Sequence, residues 1–348
     1  MSPTPSSAEA LTGLFPEEMA ERLQISLWRA RQLFQWIHRK QVFQLEDMTN
    51  IPKADRSRIN EMLPVTALSP VVEQHAPKTK TRKSLFRLAD GETIESVFLS
   101  QRTRITLCLS SQVGCALGCR FCATGTAGFR RNLAPAEIVE QALSMLQGRL
   151  SEKNGSPNIV FMGMGEPFQN YDAVMKSIGL LTHPDGLHIG ARKITVSTVG
   201  DVPGIERFTQ ETRQVRLSVS LHAADDALRS QLVPLNKRYP LPVLYEALKT
   251  YQKERSRQIT VEWVLLDGIN DSVPQARSLA AYLKGLDTVI NLIPWNAVPD
   301  LPYHSSPFTK QKQFMEALEQ SGLKVTLRKE QGADIDAACG QLRAIQQK

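Results

Sequence analysis

No stretch of this 348-residue chain is apolar for long enough to span a bilayer. The opening Met1-Ser-Pro-Thr-Pro-Ser-Ser is polar, and no basic segment followed by an apolar one is present. A secretory signal is therefore not expected, and the cytoplasm is the expected compartment. There is no internal repeat and no low-complexity segment. A disulfide framework is missing too. The five cysteines are an odd number, with Cys108, Cys115, Cys119 and Cys122 close together and Cys339 far away. In a reducing compartment such a cluster binds a metal or does chemistry.

What is present bounds the rest. The length suits one large domain plus a small one, and 42% hydrophobic residues can build a sizeable core. The net charge of +7 and pI near 9.2 favour a polyanionic partner such as RNA, or describe a merely basic soluble protein. Lys78, Lys80, Arg82, Lys83 and Arg87 form a basic stretch that either tracks phosphates or is a solvated strand face.

Residues 1–12 read as disordered. Residues 16–62 read as a small helical unit, with Pro16-Glu17-Glu18 as a helix start and Leu23, Leu27, Leu33, Phe34, Trp36 and Ile37 near helical spacing. Trp28 and Trp36 are expected in its core. Residues 65–100 alternate like strands, with Asp90-Gly91 as a hairpin turn. From residue 103 strands and helices alternate, which implies parallel strands with crossover helices. The expected fold class is α/β: a partial or full (β/α) barrel with a small N-terminal helical domain and a short β linker. The expected boundaries are 1–64 for the helical accessory domain, 65–102 for the β-rich linker, 103–330 for the barrel and 331–348 for a C-terminal segment.

Polar motifs follow the expected strands, where a β/α barrel builds its active site. The first is Gly114-Cys115-Ala116-Leu117-Gly118-Cys119-Arg120-Phe121-Cys122, spaced C-x3-C-x2-C. Three thiolates so close suit a [4Fe–4S] cluster with one iron left open. The alternative is a zinc site completed by Cys108 or His222. The second is Gly163-Met164-Gly165-Glu166-Pro167, whose glycines expose backbone carbonyls to a ligand amine and whose Glu166 adds an acceptor. Ser197, Ser220-Leu221-His222 and Asn296 end or follow later strands.

The triad and the Gly165-Glu166 motif resemble those of the radical S-adenosylmethionine (SAM) superfamily. The segments 107–115, 162–167, Ile290–Asn296 and Asp334–Leu342 resemble the RlmN/Cfr family of RNA methyltransferases. The Met-Gly-Met-Gly-Glu-Pro and Asn-Leu-Ile-Pro-Trp-Asn runs look more like the RlmN side. The resemblance implies a [4Fe–4S] cluster on Cys115, Cys119 and Cys122. It also implies two SAM per turnover, with SAM held by Gly165, Glu166, Ser197, Ser220, Leu221, His222 and Asn296. The implied substrates are 23S rRNA and tRNA, methylated at adenosine C2. A C8 methylation as in Cfr, or a protein substrate, would be the alternatives. No peptide-binding module or extra cysteine-rich cluster motif favours the last.

Adenine C2 is electrophilic, so direct methyl transfer from SAM lacks a nucleophile. The implied solution uses the other two cysteines. Cys339 takes a methyl group, loses a hydrogen atom from it and joins C2 through that carbon. Cys108 then attacks the Cys339 sulfur, frees the methylated RNA and leaves a transient disulfide. Glu95 matches the implied proton acceptor. From pattern alone Glu95 is an exposed strand carboxylate, and the choice between Glu95 and Cys108 as base stays open. A reducing donor such as flavodoxin and a monomeric state complete the expectation.

Overall fold

The protein is described by a computed structural model covering residues 9–101, 104–149, 155–328 and 332–343. The N-terminal unit holds α1 (Pro16–Leu23), α2 (Leu27–Phe34) and α3 (Lys53–Met62), with a π-helical turn at Gln35–Arg39. Pro16 occupies the first turn of α1, and the Glu18 carboxylate accepts from Phe15 N at 2.8 Å. Ala30, Leu33, Phe34 and Ile37 face the core. Trp28 lies on the other face of α2 and is 64% exposed, so its expected core position is corrected, while Trp36 is half-buried against the core. Leu11 and Thr12 are fully buried rather than disordered: their amides donate to Pro64 O and Val65 O. Residues 1–8 of that expectation lie outside the described residues.

A ten-stranded sheet follows. It begins with β1 (Leu68–Ala76), β2 (Thr81–Leu88), β3 (Thr93–Gln101) and β4 (Arg104–Cys108), paired antiparallel in succession. A small hairpin of β5 (Gln112–Gly114) and β6 (Phe129–Asn132) stands apart, enclosing the short α4 (Ala123–Thr126). Then come α5 (Pro135–Leu146), β7 (Asn158–Phe161), α6 (Tyr171–Thr182), β8 (Ile194–Thr198), α7 (Val202–Thr209), β9 (Arg216–Ser220), α8 (Asp226–Leu232) and α9 (Leu241–Arg255). The chain continues through β10 (Ile259–Leu265), α10 (Val273–Tyr282), β11 (Thr288–Pro294), α11 (Phe308–Gln320) and β12 (Lys324–Leu327).

From β4 through β7 to β12 every neighbouring pair is parallel. The inner strands β8 to β10 are buried on both faces, whereas the edge strand β12 is partly exposed. β1 and β12 end the sheet on opposite sides, so the barrel is partial. The stretch read as a linker continues the same sheet, since β3 pairs with β4 from Gln101↔Arg104 to Val97↔Cys108. The parallel strands β4 and β7 to β12 point their C-terminal ends toward one mouth, where the polar motifs gather.

A buried carboxylate joins the helical unit to the barrel. Glu140 of α5 accepts from Thr12 Oγ1, from Ala67 N at 2.6 Å and from Leu68 N at 2.7 Å. Glu140→Ala leaves three buried donors without an acceptor. It is expected to cost about 3 kcal/mol in a urea unfolding curve. An unchanged midpoint and slope would show that this staple does not hold the two parts together.

Candidate active site

The cysteine loop is pinned at its base by the β5–β6 hairpin. Gly114 has φ +74°, and a Cβ there would lie 1.8 Å from Gly128 O, so only glycine allows the two arms to approach. Cys115 N donates to that same carbonyl at 2.9 Å. The loop's far end is held by Trp295 Nε1, which donates to Phe121 O at 3.0 Å, and by the Phe121 ring standing edge-on to His222 at 4.7 Å.

Cys115, Cys119 and Cys122 line one cavity together with Gly163, Gly165, Glu166, Ser197 and His222. All five cysteines are free thiols. Burial pushes Cys115 up to about 12 and raises Cys119 and Cys122 as well. Such thiols ionise when iron supplies the compensating positive charge. The zinc alternative fits poorly. Cys108 lines a neighbouring chamber, and His222 Nδ1 already accepts from Val264 N at 3.0 Å. Among the described residues no group of three His, Cys, Asp or Glu is arranged for a single metal ion. Three thiols around a shared cavity, with Gly163 and Gly165 beside them, suit a cluster that keeps an exchangeable corner.

The second motif forms the adjacent wall. Gly165 has φ +102°, and a Cβ there would sit 2.6 Å from Gln112 Cβ. Glu166 N donates to Gln112 Oε1 at 2.8 Å, and its carboxylate accepts from Phe168 N at 3.2 Å and Val199 N at 3.0 Å. Burial raises the carboxyl to about 7 despite those donors. Ser197 Oγ and Ser220 Oγ face each other at 3.5 Å on the next strands. Burial, and then the Arg229 charge, push His222 down to about 3, so it is neutral. Leu221 and Asn296, the other two expected SAM contacts, adjoin the lining residues Ser220, His222 and Trp295 without lining the cavity themselves. Leu221 is buried behind the cavity wall, with its carbonyl accepting from Arg229 Nε at 3.1 Å. Asn296 donates from Nδ2 to Cys339 O at 3.2 Å, so it holds the C-terminal segment.

That segment enters the barrel between β4 and the Trp295 loop. Ala123 N donates to Gly340 O at 2.8 Å and Gln341 Nε2 to Ala297 O at 2.8 Å. Cys339 lines the cysteine cavity on one side. On the other it lines a small chamber with Cys108, Val97, Val160, Leu342 and Arg328. Burial first, then the Cys339 charge, push the Cys108 thiol up to about 12. Arg328 Nη1 stands 3.8 Å from Cys339 Sγ and 4.0 Å from Glu262 Oε2. That Glu262 oxygen is buried without a hydrogen-bond partner, while Oε1 accepts from Ser218 Oγ at 3.2 Å and Asn291 Nδ2 at 3.0 Å.

Glu262 and Arg328 escaped the sequence reading. A carboxylate inside the apolar run of β10 and a cation just after β12 were the available signals. Glu95 is corrected from exposed to 5% exposed. Its carboxylate pairs with Lys83 Nζ at 3.1 Å and accepts from Arg343 N at 3.0 Å. It lines an outer groove with Arg87, Asp336 and Gln341, across the C-terminal segment from the cysteine triad. Lys83 thus turns inward from the basic stretch, whereas Lys78, Lys80 and Arg87 remain exposed.

Comparison with known proteins matches this geometry. Residues 109–279 match the Radical SAM superfamily, and residues 11–65 match the ribosomal RNA large subunit methyltransferase N-terminal domain. A probable dual-specificity RNA methyltransferase RlmN of Heliobacterium modesticaldum is 46% identical over 346 residues, which cover 96% of this chain and 89% of that protein. The chain belongs to the RlmN family. A probable RlmN of Geobacillus kaustophilus is 43% identical over 321 residues, covering 92% of this chain and 88% of that protein. The crystal structure of a radical SAM methyltransferase from Sphaerobacter thermophilus shares the fold with a TM-score of 0.92 at 45% identity, covering 97% of this chain and 99% of that one. As an RlmN family member, the protein is a SAM-dependent methyltransferase that uses a [4Fe–4S] cluster.

Proposed function

We propose that this protein methylates C2 of adenosine in 23S rRNA and in tRNA, with Cys339 carrying the carbon to the base. The observation that carries the reading is the place of Cys339. It stands where the triad's cavity meets the chamber of Cys108, so one sulfur serves a methyl donor on one side and a resolving thiol on the other.

Cys115, Cys119 and Cys122 would hold the cluster, and Gly165, Glu166, Ser197, Ser220 and His222 would hold SAM. The bound cluster and SAM supply one-electron chemistry that takes a hydrogen atom from an unactivated carbon. The chain's own residues do the rest. The Cys339 sulfur forms a bond to the methyl carbon. After hydrogen loss, that carbon bonds to adenine C2. Glu95 takes the C2 proton, and the odd electron left on the base would pass back to the one-electron centre that the bound cluster supplies. The Cys108 sulfur attacks the Cys339 sulfur, the S–C bond breaks, and the Cys108 proton goes to the departing carbon. The carbon leaves as the new methyl group with one proton gained, and the two sulfurs are left as a disulfide for an external reductant.

Glu95 is favoured over Cys108 as base because burial keeps the Cys108 thiol protonated, and a protonated thiol accepts no proton. Glu95 must first leave Lys83 and the Arg343 amide. Glu95→Gln is expected to leave methyl transfer to Cys339 intact and to slow RNA methylation by about 10²–10⁴-fold. Mass spectrometry of the Cys339 peptide beside turnover counts checks this; equal turnover would remove Glu95 from the mechanism.

The helical unit at 1–64 would help hold RNA in which the target base has left its stack. Cytoplasmic action, a flavodoxin-type donor and a monomeric state belong to the same proposal. Mapping modified adenosines in rRNA and tRNA from cells with and without the protein tests it. Loss of C2 methyls in both RNAs is the expected result. Loss of C8 methyls would assign the Cfr-type reaction, and no change in either RNA would reject the substrate class.

A further inference from the structure

Arg229 of α8 is 1% exposed, among the largest fully buried side chains of the protein. No role in the chemistry above uses it. Every nitrogen of its guanidinium is engaged, and every partner is neutral. Nε donates to Leu221 O at 3.1 Å, Nη1 to Asn236 Oδ1 at 2.8 Å, and Nη2 to Val199 O at 2.6 Å. Among the described residues no carboxylate forms an ion pair with it. Asp226 acts on it by charge without forming an ion pair, and hydrogen bonds link the two only through Asn236, whose Nδ2 donates to Asp226 Oδ1 at 2.9 Å; Leu241 N donates to that same oxygen at 2.8 Å.

A buried cation without an anionic partner is costly. Such a group persists where an anion is bound in the working state. The geometry shows which anion. Val199 follows β8 and lines the cysteine cavity, where its amide donates to the Glu166 carboxylate at 3.0 Å. Leu221 lies between Ser220 and His222, which line the same cavity. Arg229 therefore clamps two loops of the cavity wall from behind. Its own helix also touches the cysteine loop, because Arg120 N donates to Leu232 O at 3.0 Å. A cluster on three thiolates is net negative, and it gains further negative charge on reduction. Its potential responds to nearby charge and hydrogen bonding.

We infer that Arg229 is a positioning residue that fixes the Val199 and Leu221 loops and, as an unpaired buried cation behind the cysteine cavity, favours the reduced cluster. The inference rests on the cluster assignment above. It extends that assignment to a side chain that touches neither cluster nor SAM.

The test is a redox titration of the reconstituted full-length protein, followed by electron paramagnetic resonance. Wild type, Arg229→Gln and Arg229→Lys are compared with their iron and sulfide contents. Gln keeps a donor but removes the charge, and Lys keeps the charge but loses the three-way clamp. The expected result is a midpoint moved to more negative potential in Arg229→Gln, with Arg229→Lys close to wild type. SAM binding, measured by equilibrium dialysis, should weaken in both variants. An unchanged midpoint in Arg229→Gln, or equal shifts in the two variants, would overturn the charge role. Should Arg229→Gln take up no iron, Asn236→Asp decides, because it sets an anion against Arg229 Nη1. A lowered midpoint supports the inference and an unchanged one overturns it. Wild-type protein that assembled no cluster would instead sink the assignment on which the inference rests.

Discussion

Replacing Cys339 by alanine is expected to abolish RNA methylation while leaving the cluster in place. Loss should reach at least about 10³-fold, because on the proposed route Cys339 forms the covalent bond to carbon and has no substitute nearby. The segment itself should stay seated. Its anchors are backbone groups or other side chains: Asn296 on Cys339 O, Ala123 N on Gly340 O, and Gln341 on Ala297 O. The variant thus separates chemistry from folding. Iron content, the visible absorption of the cluster and labelled-methyl transfer to RNA are the three readouts. A variant that kept both cluster and methylation would place the carbon carrier elsewhere.

Cys108→Ala is expected to stop the reaction one stage later and accumulate a covalent protein–RNA adduct. On the proposed route, the bond between the Cys339 carbon and its sulfur yields only when a second sulfur attacks Cys339. Cys108 is the one cysteine beside Cys339 in the chamber away from the triad. It ends β4 with its backbone paired to Val97 on one side and Val160 on the other, so its place is fixed by the sheet. A side chain shortened to a methyl leaves that pairing alone. A denaturing gel of protein incubated with substrate RNA should show a band at the summed mass. The Cys108→Ala/Cys339→Ala double variant should show none. If Cys108→Ala turned over freely with no adduct, the resolving role would belong to an external thiol.

Much of this site was legible in the chain. The β-then-α rhythm from residue 103 announced the run of parallel strands and crossover helices, because the inner strands, buried on both faces, read as apolar runs whatever packs on them. The triad, Gly165-Glu166, Ser197, Ser220 and His222 were found because local spacing and position after a strand carry their signal. What stayed hidden depended on distant contacts. The hairpin of β5 and β6 consists of two very short strands around a loop, too short to show alternation. Glu95 looked exposed because its partners, Lys83 and the Arg343 amide, arrive from another strand and from the C-terminal segment. Trp28 looked like core because helical spacing does not tell which face of a short helix meets the barrel. Arg229 and Arg328 are ordinary surface cations by composition, and only the fold turns them inward.

The claim at the centre is that the carbon travels by way of Cys339. SAM carrying a fully deuterated methyl group tests it most directly. The label should appear on the Cys339 peptide before any RNA is added. The adenine methyl formed afterwards should have exchanged one deuterium for hydrogen, since one is removed before the carbon meets the base. A methyl group delivered to adenine with its deuterium intact, and no label on Cys339, would contradict the claim.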